Sequence, residues 1–553
     1  MKKLLALILS CTLILGSLAG CSKNPDPTPG NTSDPPPAAT DENKPADSTP
    51  APAADPGTPV YGGELKIALN RTINAEALDP TLANSTTCDQ VCLQYGDTLV
   101  QETADAVDYL PSLATDWTIS EDGKVYTFTI REGVHFQKGK YQDGRELTAE
   151  DVAWSLNRAH EESWWGYLPF FDHAEVQDGK VVCYLENANA TFLHELTSTS
   201  GIIVPKEEVE GWGDQFGSHP ISTGPFIVSE HVPDQYTKLV KNPNYWGVEP
   251  YLDAVTYYVI TDEAQAMNAL TTGEVDVVLT VSGNYIQQVR DNPNLVLSQT
   301  PESRLSFLGF NLSDSVLSDK RVRDAISMAI DRKQIADGVY ANGDGAASYL
   351  PVPITSWGYD PALEELVPAY DIDAAKALLA EAGYGNGLNL VLTVGTADAY
   401  VRAATIIQAM LSQIGVNVEI QSLSSTEVTD RYLNNTVQLF IGGQGGSADP
   451  GTFVGNFLST AKLHTNFNAF CYSDPATDEI VNQAGAETDR AKRTELYHEL
   501  IKEALDTNIG VFYATSYLSW GLGQRVHGYV QENKSVMRVC GLEGTGINIW
   551  VTE

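Results

Sequence analysis

LPSLATDWTISEDGKVYTFTIREGVHFQKGKYQDGRELTAEDVAWSLN runs from Leu110 to Asn157 and reads as a hairpin, a loop and a helix. Trp117 and Ile119 alternate with polar neighbours, as do Tyr126, Phe128 and Ile130, which is the period-2 pattern of half-buried strands. Between them Glu121-Asp122-Gly123-Lys124 supplies turn chemistry, with Gly123 free to take positive φ. Thr148 and Asp151 form the acid variant of a capping box, after which Val152, Leu156 and Ala159 keep helical spacing.

Working outward, the N-terminal MKKLLALILSCTLILGSLAGC joins Lys2 and Lys3 to a short apolar stretch, Leu4 to Leu15. A membrane span needs about 20 apolar residues, so this run reads as an export signal. Leu18-Ala19-Gly20-Cys21 resembles a lipoprotein signal, with cleavage before Cys21 and diacylglycerol on its thiol; an ordinary secretory signal and an uncleaved anchor are the alternatives. Residues 1–20 are therefore assigned to the signal peptide and 21–60 to the lipidated Cys with a disordered Pro-rich spacer. Ser22 to Pro59 cannot bury enough apolar surface to offset chain entropy. At ~3.1 Å per residue in polyproline geometry it reaches on the order of 100 Å, enough to hold a domain off a membrane.

Val60 to Glu553 is too long for one core and should divide into lobes. A formal charge of −38 argues against nucleic acid or anionic lipid as a partner and suits a soluble exported protein. Beyond Cys21 the mature chain keeps Cys88, Cys92, Cys183, Cys471 and Cys540, an odd set that leaves at least one unpaired within the chain. Buried free thiols are expected, with a disulfide between some pair left open. Catalytic patterns are weak. Gly133 to Lys140 (GVHFQKGK) imitates a phosphate-binding loop, but it has one residue too many before Gly-Lys and Tyr141 where Ser or Thr belongs. H-E-x-x-H is absent, G-x-S-x-G is absent from the mature chain, and the nine histidines lack metal-ligand spacing. No enzyme chemistry, metal or cofactor is expected; a hydrolase is the different-class alternative.

Further phrases follow in order. YGGELKIALN from Tyr61 is a strand, ALDPTLAN a loop, and Asn84-Ser85-Thr86-Thr87 a hydroxyl-rich turn. Trp164-Trp165-Gly166-Tyr167 is an aromatic cluster, for packing or a cleft wall. His219 to Phe226 (HPISTGPF), Lys241 to Trp246 (KNPNYW) and Thr272 to Asp276 (TGEVD) border sheet-like runs. In Asp319 to Arg332, Asp319 caps a helix with Val322, Ile326, Ala329 and Ile330 as its buried stripe, and Arg321 and Arg323 are expected at the surface or in ion pairs. Tyr370 to Gly383 is a helix ended by Gly383 at C′. Helices Val401–Ile414 and Arg490–Leu505, each followed by a strand, indicate an α/β lobe.

These phrases, their order and their spacing closely resemble the family 5 solute-binding proteins, the oligopeptide, dipeptide and nickel receptors of ABC importers. The resemblance covers nearly all of Tyr61 to about Tyr529, with Ser222 and Phe226 as departures from P-x-G-T-G-P-Y. It implies an α/β, two-lobed periplasmic-binding-protein-like fold of class II, cluster C type, with an extra third region. Residues 61–92, 220–301 and 526–553 would form lobe I, 93–219 the extra domain II, and 302–525 lobe III. The resemblance also implies hinge closure over a ligand and delivery to an ABC permease with its ATPase subunits. The receptor would be a monomer, lipid-anchored outside the cytoplasmic membrane of a Gram-positive type of cell.

Peptide-binding members hold the peptide ammonium with the Asp of W-x-x-D ahead of D-P or E-P. Counting back from Asp449-Pro450, Gly443 and Gly446 stand at the Trp and Asp positions here. Dipeptide-type members hold the carboxylate with an Arg between a strand and the next helix, and LVLTVGTADAY (Leu390 to Tyr400) has none. Both losses argue against a standard zwitterionic dipeptide. The ligand-contact candidates are Thr86 and Thr87 (or a helix cap there), Arg304, Gln444, Gly446 and Ser447 for hydrogen bonds, and Trp357 and Tyr400 as aromatic walls. A peptide is the leading ligand class. A sugar, amine or metal chelate on the same fold, or a ligand-sensing surface lipoprotein, remains open.

Overall fold

The computed structural model describes residues 57–73, 78–83, 85–104, 106, 108–163, 167–532 and 536–553. The export signal, Cys21, the spacer as far as residue 56, Asn84 and Trp164-Trp165-Gly166 lie outside these residues. The chain opens with β1 (Glu64–Leu69) and α1 (Thr86–Tyr95). A separate layer follows: β2 (Val100–Glu102) pairs with β3 (Tyr109–Pro111), beside an antiparallel sheet. That sheet holds β4 (Ala114–Ile119), β5 (Val125–Ile130), β6 (Phe171–Gln177) and β7 (Lys180–Leu185) in the order β4-β5-β7-β6. Its helices are α2 (Ala149–Glu162), α3 (Phe192–Glu195) and α4 (Lys206–Trp212). Gly123 turns the β4–β5 hairpin at φ +66°. Thr148 and Asp151 form the reciprocal capping box at the start of α2. Tyr126 and Phe128 are buried, whereas Ile119 is exposed because β4 is the sheet's edge.

Next come β8 (Phe226–Val232), β9 (Tyr236–Lys241), β10 (Ala254–Val259), α5 (Glu263–Thr272), β11 (Val277–Val278), α6 (Gly283–Asp291) and β12 (Leu295–Pro301). β10 and β11 flank β1, both parallel to it. The last region contains β13 (Arg304–Phe310), α7 (Lys320–Met328), α8 (Arg332–Val339), β14 (Gly345–Ala347), α9 (Ile372–Glu381) and β15 (Leu388–Gly395). It continues through α10 (Asp398–Ser412), β16 (Val416–Leu423), α11 (Ser425–Leu433), β17 (Leu439–Gly445), α12 (Val454–Leu458), α13 (Pro475–Ala486), α14 (Arg490–Thr507) and β18 (Gly510–Gly523). β15 lies between β16 and β17 and is parallel to both, while β13 runs antiparallel to β17. The first half of β18 pairs with β13 and β14, and its second half with β11 and β12. One strand thus belongs to both lobes, and the division written at residue 525 falls after it. The chain passes between the lobes at Glu302–Ser303 and at Ser516–Tyr517.

Buried polar groups join the β4–β7 layer to the β1 lobe. The Thr223 hydroxyl and the Trp246 indole each donate to Asp97 Oδ2 at 2.9 Å, and Tyr245 donates to Oδ1 at 3.4 Å. Burial raises the Asp97 carboxyl. The HPISTGPF and KNPNYW phrases therefore meet at this joint. Gln137, inside the GVHFQKGK run, donates to the carbonyls of Tyr95, Gly224 and Phe226 at 3.0, 3.2 and 2.8 Å. That loop is a structural clasp.

Asp319 caps α7, and Arg321 pairs with it at 2.6 Å. Arg323 departs from expectation: it is buried and donates to the carbonyls of Leu317, Thr507 and Asn508. It therefore satisfies chain ends that water cannot reach. Among the described residues Cys88, Cys92, Cys183 and Cys540 are buried free thiols, and Cys471 is a half-buried one.

Arg158 of α2 forks onto Asp79 of the β1 lobe at 2.6 and 3.1 Å, with both side chains under a tenth exposed (7% and 6%). Asp79→Asn takes the buried counter-ion from the Arg158 guanidinium and leaves it only the half-exposed Glu162 carboxylate at 2.8 Å. It is expected to cost about 3–5 kcal/mol, read as a lowered urea midpoint by tryptophan fluorescence.

Candidate functional site

Strand direction decides where a ligand belongs. β12 runs into the crossing and β13 runs out of it, while β18 returns antiparallel to both. β11 is antiparallel to β18, so the carboxyl ends of β11, β1 and β10 point toward the crossing. β17 is antiparallel to β13, so the carboxyl ends of β17, β15 and β16 point back at them. In parallel sheets ligands sit outside the carboxyl ends, where successive connections diverge to either side. Each lobe has one such point, at the end of β1 between β10 and β11 and at the end of β15 between β16 and β17. The two points face each other across the crossing.

On the β1 side a pocket of about 220 Å³ is lined by Asn70, Thr261, Glu263, Thr280 and Ser282 among others. Glu263 accepts the Ser282 N–H at 2.8 Å, while the buried Ser282 hydroxyl has no hydrogen-bond partner among the described residues. Asp344, from the other lobe, accepts the Gly283 N–H, and burial raises its carboxyl. Sequence reasoning missed these residues. Their one available signal was position, since all five pocket residues stand just past the end of β1, β10 or β11.

On the β15 side Arg304 opens β13 opposite Gly445, and Tyr400 lies in the first turn of α10. The Arg304 guanidinium donates to the Tyr400 hydroxyl. Tyr340 lies close by and shares a 3.4 Å contact with the Ser306 hydroxyl. The glycines of β17 make room for this group. A Cβ on Gly443 would collide with the Tyr400 hydroxyl, and one on Gly445 would stand 3.2 Å from Arg304 Nη1. At Gly446 the Cβ position is filled by the Thr452 methyl, and the N–H donates to Ser303 O at 3.1 Å. Gly446 therefore ties the end of β17 to the crossing and has no space for a side chain.

The other sequence candidates go elsewhere. Gln444 donates to Gly445 O at 2.9 Å, and the Ser447 hydroxyl accepts from the Asp449 N–H at 3.1 Å. Trp357 lies under Arg490 at 4.3 Å and edge-on to Tyr497 at 5.6 Å, beside the 2.8 Å Arg493–Asp449 ion pair. Tyr109 of the β2–β3 ribbon lies near this cluster: burial raises its phenol, and the charges of Asp449, Arg490 and Arg493 act on it. The Ala190 N–H donates to Gly485 O at 2.9 Å, so the β4–β7 layer touches the β15 lobe here. Thr86 is exposed and Thr87 buried at the start of α1, where Ser85 is the N-cap. Neither threonine shares a hydrogen bond with the Arg304 group.

Gly446→Asp, which puts an acid at the ammonium-binding position, is expected to displace Thr452. It should lower stability by about 1–3 kcal/mol in a thermal melt without creating a cation site.

Residues 108–464 match the family model of the bacterial extracellular solute-binding proteins, family 5, middle region. The dipeptide-binding protein of Escherichia coli K12 is 28% identical over 82% of this chain and 90% of its own length. HbpA2 of Haemophilus parasuis superposes with a TM-score of 0.81 at 25% identity, over 89% of this chain and 100% of that one. DppA of Helicobacter pylori, an ABC transporter-associated binding protein in complex with peptide STSA, gives 0.68 at 26% identity over 89% and 99%. The α/β fold with two lobes is that of these neighbours, and this chain belongs to the bacterial extracellular solute-binding proteins, family 5.

Proposed function

We propose that this protein is the extracytoplasmic receptor of an ABC importer, capturing a peptide as its two lobes close. The observation that carries the reading is the pair of facing switch points joined by two crossing strands, with polar side chains at both. This is the geometry of hinge closure on a small solute. The named relatives point the same way: one is called a dipeptide-binding protein, and another is an ABC transporter-associated protein with a peptide bound. The lobes would be the β1 and β15 regions, with the β4–β7 layer as the extra domain. Ligand contact falls to Arg304 and Tyr400 on one side and to Asn70, Thr261, Thr280 and Ser282 on the other. Gly446 borders the site where β17 meets the crossing, while Trp357, Gln444 and Ser447 are held by their own neighbours.

No helix among the described residues is long and apolar enough to cross a membrane. Attachment is proposed through lipid on Cys21, with 22–59 as spacer and the receptor acting as a monomer. A second reading, a non-peptide solute, is favoured by one observation. The position that would hold a peptide ammonium is Gly446, packed against Thr452.

Mass spectrometry of ligand released from the purified protein tests both readings. A peptide population is expected, and a matching synthetic peptide at 100-fold its Kd should add ~2.7 kcal/mol to stability. A single non-peptide solute would overturn the substrate. For the anchor, Cys21→Ser is expected to move the protein from the membrane fraction to the medium and abolish its labelling by palmitate. A variant that stays membrane-bound would refute lipidation at Cys21.

A further inference from the structure

Most of the well-buried arginines are neutralised by carboxylates or saturated by carbonyls. Arg158 has Asp79, Arg493 has Asp449, Arg323 has four carbonyls, and Arg332 donates to Phe512 O. Arg304 is half-buried and is treated differently. Glu302 acts on it through its charge, but among the described residues no carboxylate lies within the 4.0 Å of an ion pair. Its hydrogen-bond partner is the Tyr400 hydroxyl. A guanidinium carries five N–H donors in a planar fork, so most of its capacity is open. Holding a partly desolvated cation in this state is costly unless an anion arrives.

The surroundings say where that anion enters. Gly443 and Gly445 of β17 leave the room that the Tyr400 hydroxyl and Arg304 Nη1 fill, so the two groups lie against the bare backbone of this strand. The facing pocket of about 220 Å³ offers Asn70, Thr261, Thr280 and Ser282 as neutral groups and Glu263 as an acid. Asp344 brings a second acid to the N-terminus of α6. An anionic group is repelled there and attracted to Arg304.

We propose that the Arg304 guanidinium, steadied by Tyr400 at the mouth of the glycine strand, is the anchor for a carboxylate of the ligand. The assignment rests on the reading of the protein as a solute receptor and deepens it. The bound solute presents its carboxylate to the β15 lobe at the crossing and its remaining length toward the β1 pocket. Glycines on β17 are then a requirement of the anchor: a side chain at 443 or 445 would displace Tyr400 or Arg304. The carboxylate is held from β13, whereas the β15–α10 connection contributes only the phenol.

Isothermal titration calorimetry on the full-length protein tests this with four probes: tetra-alanine, its C-terminal amide, succinate and maltose. Tetra-alanine is expected to bind roughly tenfold or more tightly than its amide, since a charge-assisted pair is lost. That preference should vanish in Arg304→Gln and survive in part in Arg304→Lys. Tyr400→Phe, which removes only the phenol oxygen, should weaken the preference without abolishing it. Thermal midpoints of the unliganded variants verify folding. Equal binding of acid and amide overturns the anchor and leaves the peptide receptor standing. Binding of succinate with neither peptide keeps the anchor and overturns the peptide reading. Binding of maltose alone, or of no carboxylate at all, overturns the anchor.

Discussion

At the crossing between the lobes the Ser516 hydroxyl donates to Glu302 Oε2 at 2.7 Å, and the Glu302 N–H donates to Ser516 O at 2.9 Å. These two bonds lash together the two segments that, among the described residues, carry the chain from one lobe to the other. Two strands can twist about their common axis while their ladder resists sliding, so closure takes the form of a rotation. The Tyr517 N–H donates to Asp344 O at 2.8 Å, which fixes a third segment to the same point. Arg304 opens β13 two residues beyond Glu302, so the residue placed to grip a ligand follows closely on the residue that holds the hinge. Any force on Arg304 is felt at the crossing. A ligand that binds the closed arrangement better shifts the equilibrium by that difference in affinity.

The two seams of the β4–β7 layer are unequal. Toward the β1 lobe it is fused through the Arg158–Asp79 pair, the donors converging on Asp97 and the Gln137 clasp, with Asp79, Asp97, Gln137, Arg158 and Thr223 buried. Toward the β15 lobe the contacts named are the Ala190–Gly485 backbone bond and the approach of Tyr109 to Arg490 and Arg493. A seam with few buried contacts opens at lower free energy than one built on buried charge pairs. The layer is thus held more firmly to the β1 lobe than to the β15 lobe.

The sequence was most legible where structure is local. The β4–β5 hairpin follows from alternation and a glycine turn, the start of α2 from a capping box, the start of α7 from Asp319 and the end of α9 from Gly383. The α/β lobes and the family resemblance rest on such phrases. Elements whose meaning depends on distant partners were less legible. β18 looks like one ordinary apolar strand, yet its two halves belong to different lobes. Arg323 sits in a phrase full of charge but spends its donors on carbonyls nearly two hundred residues away. Arg304 and Tyr400 were chosen for chemistry alone, and the fold brings them together. Gln444 and Ser447 were chosen on the same grounds and proved to be occupied by their own backbone. Asn70, Thr261 and Ser282 went unnoticed because only the parallel pairing of β1, β10 and β11 sets them side by side.

That pairing also sets an order of assembly. The core of the β4–β7 layer draws on a contiguous run from Leu99 to Ile203. The core around β1 needs Leu65 and Ile67 together with Tyr257, Trp520, Ile549 and Val551. A chain emerging N-terminus first can complete the layer early, because domains fold as their residues become available. The opening strand must wait, with apolar residues unburied, until almost the last residue has arrived. A chain that stalls before β18 would carry a finished middle domain on an unsealed lobe, a form that quality-control proteases could recognise by the bare edge of β11.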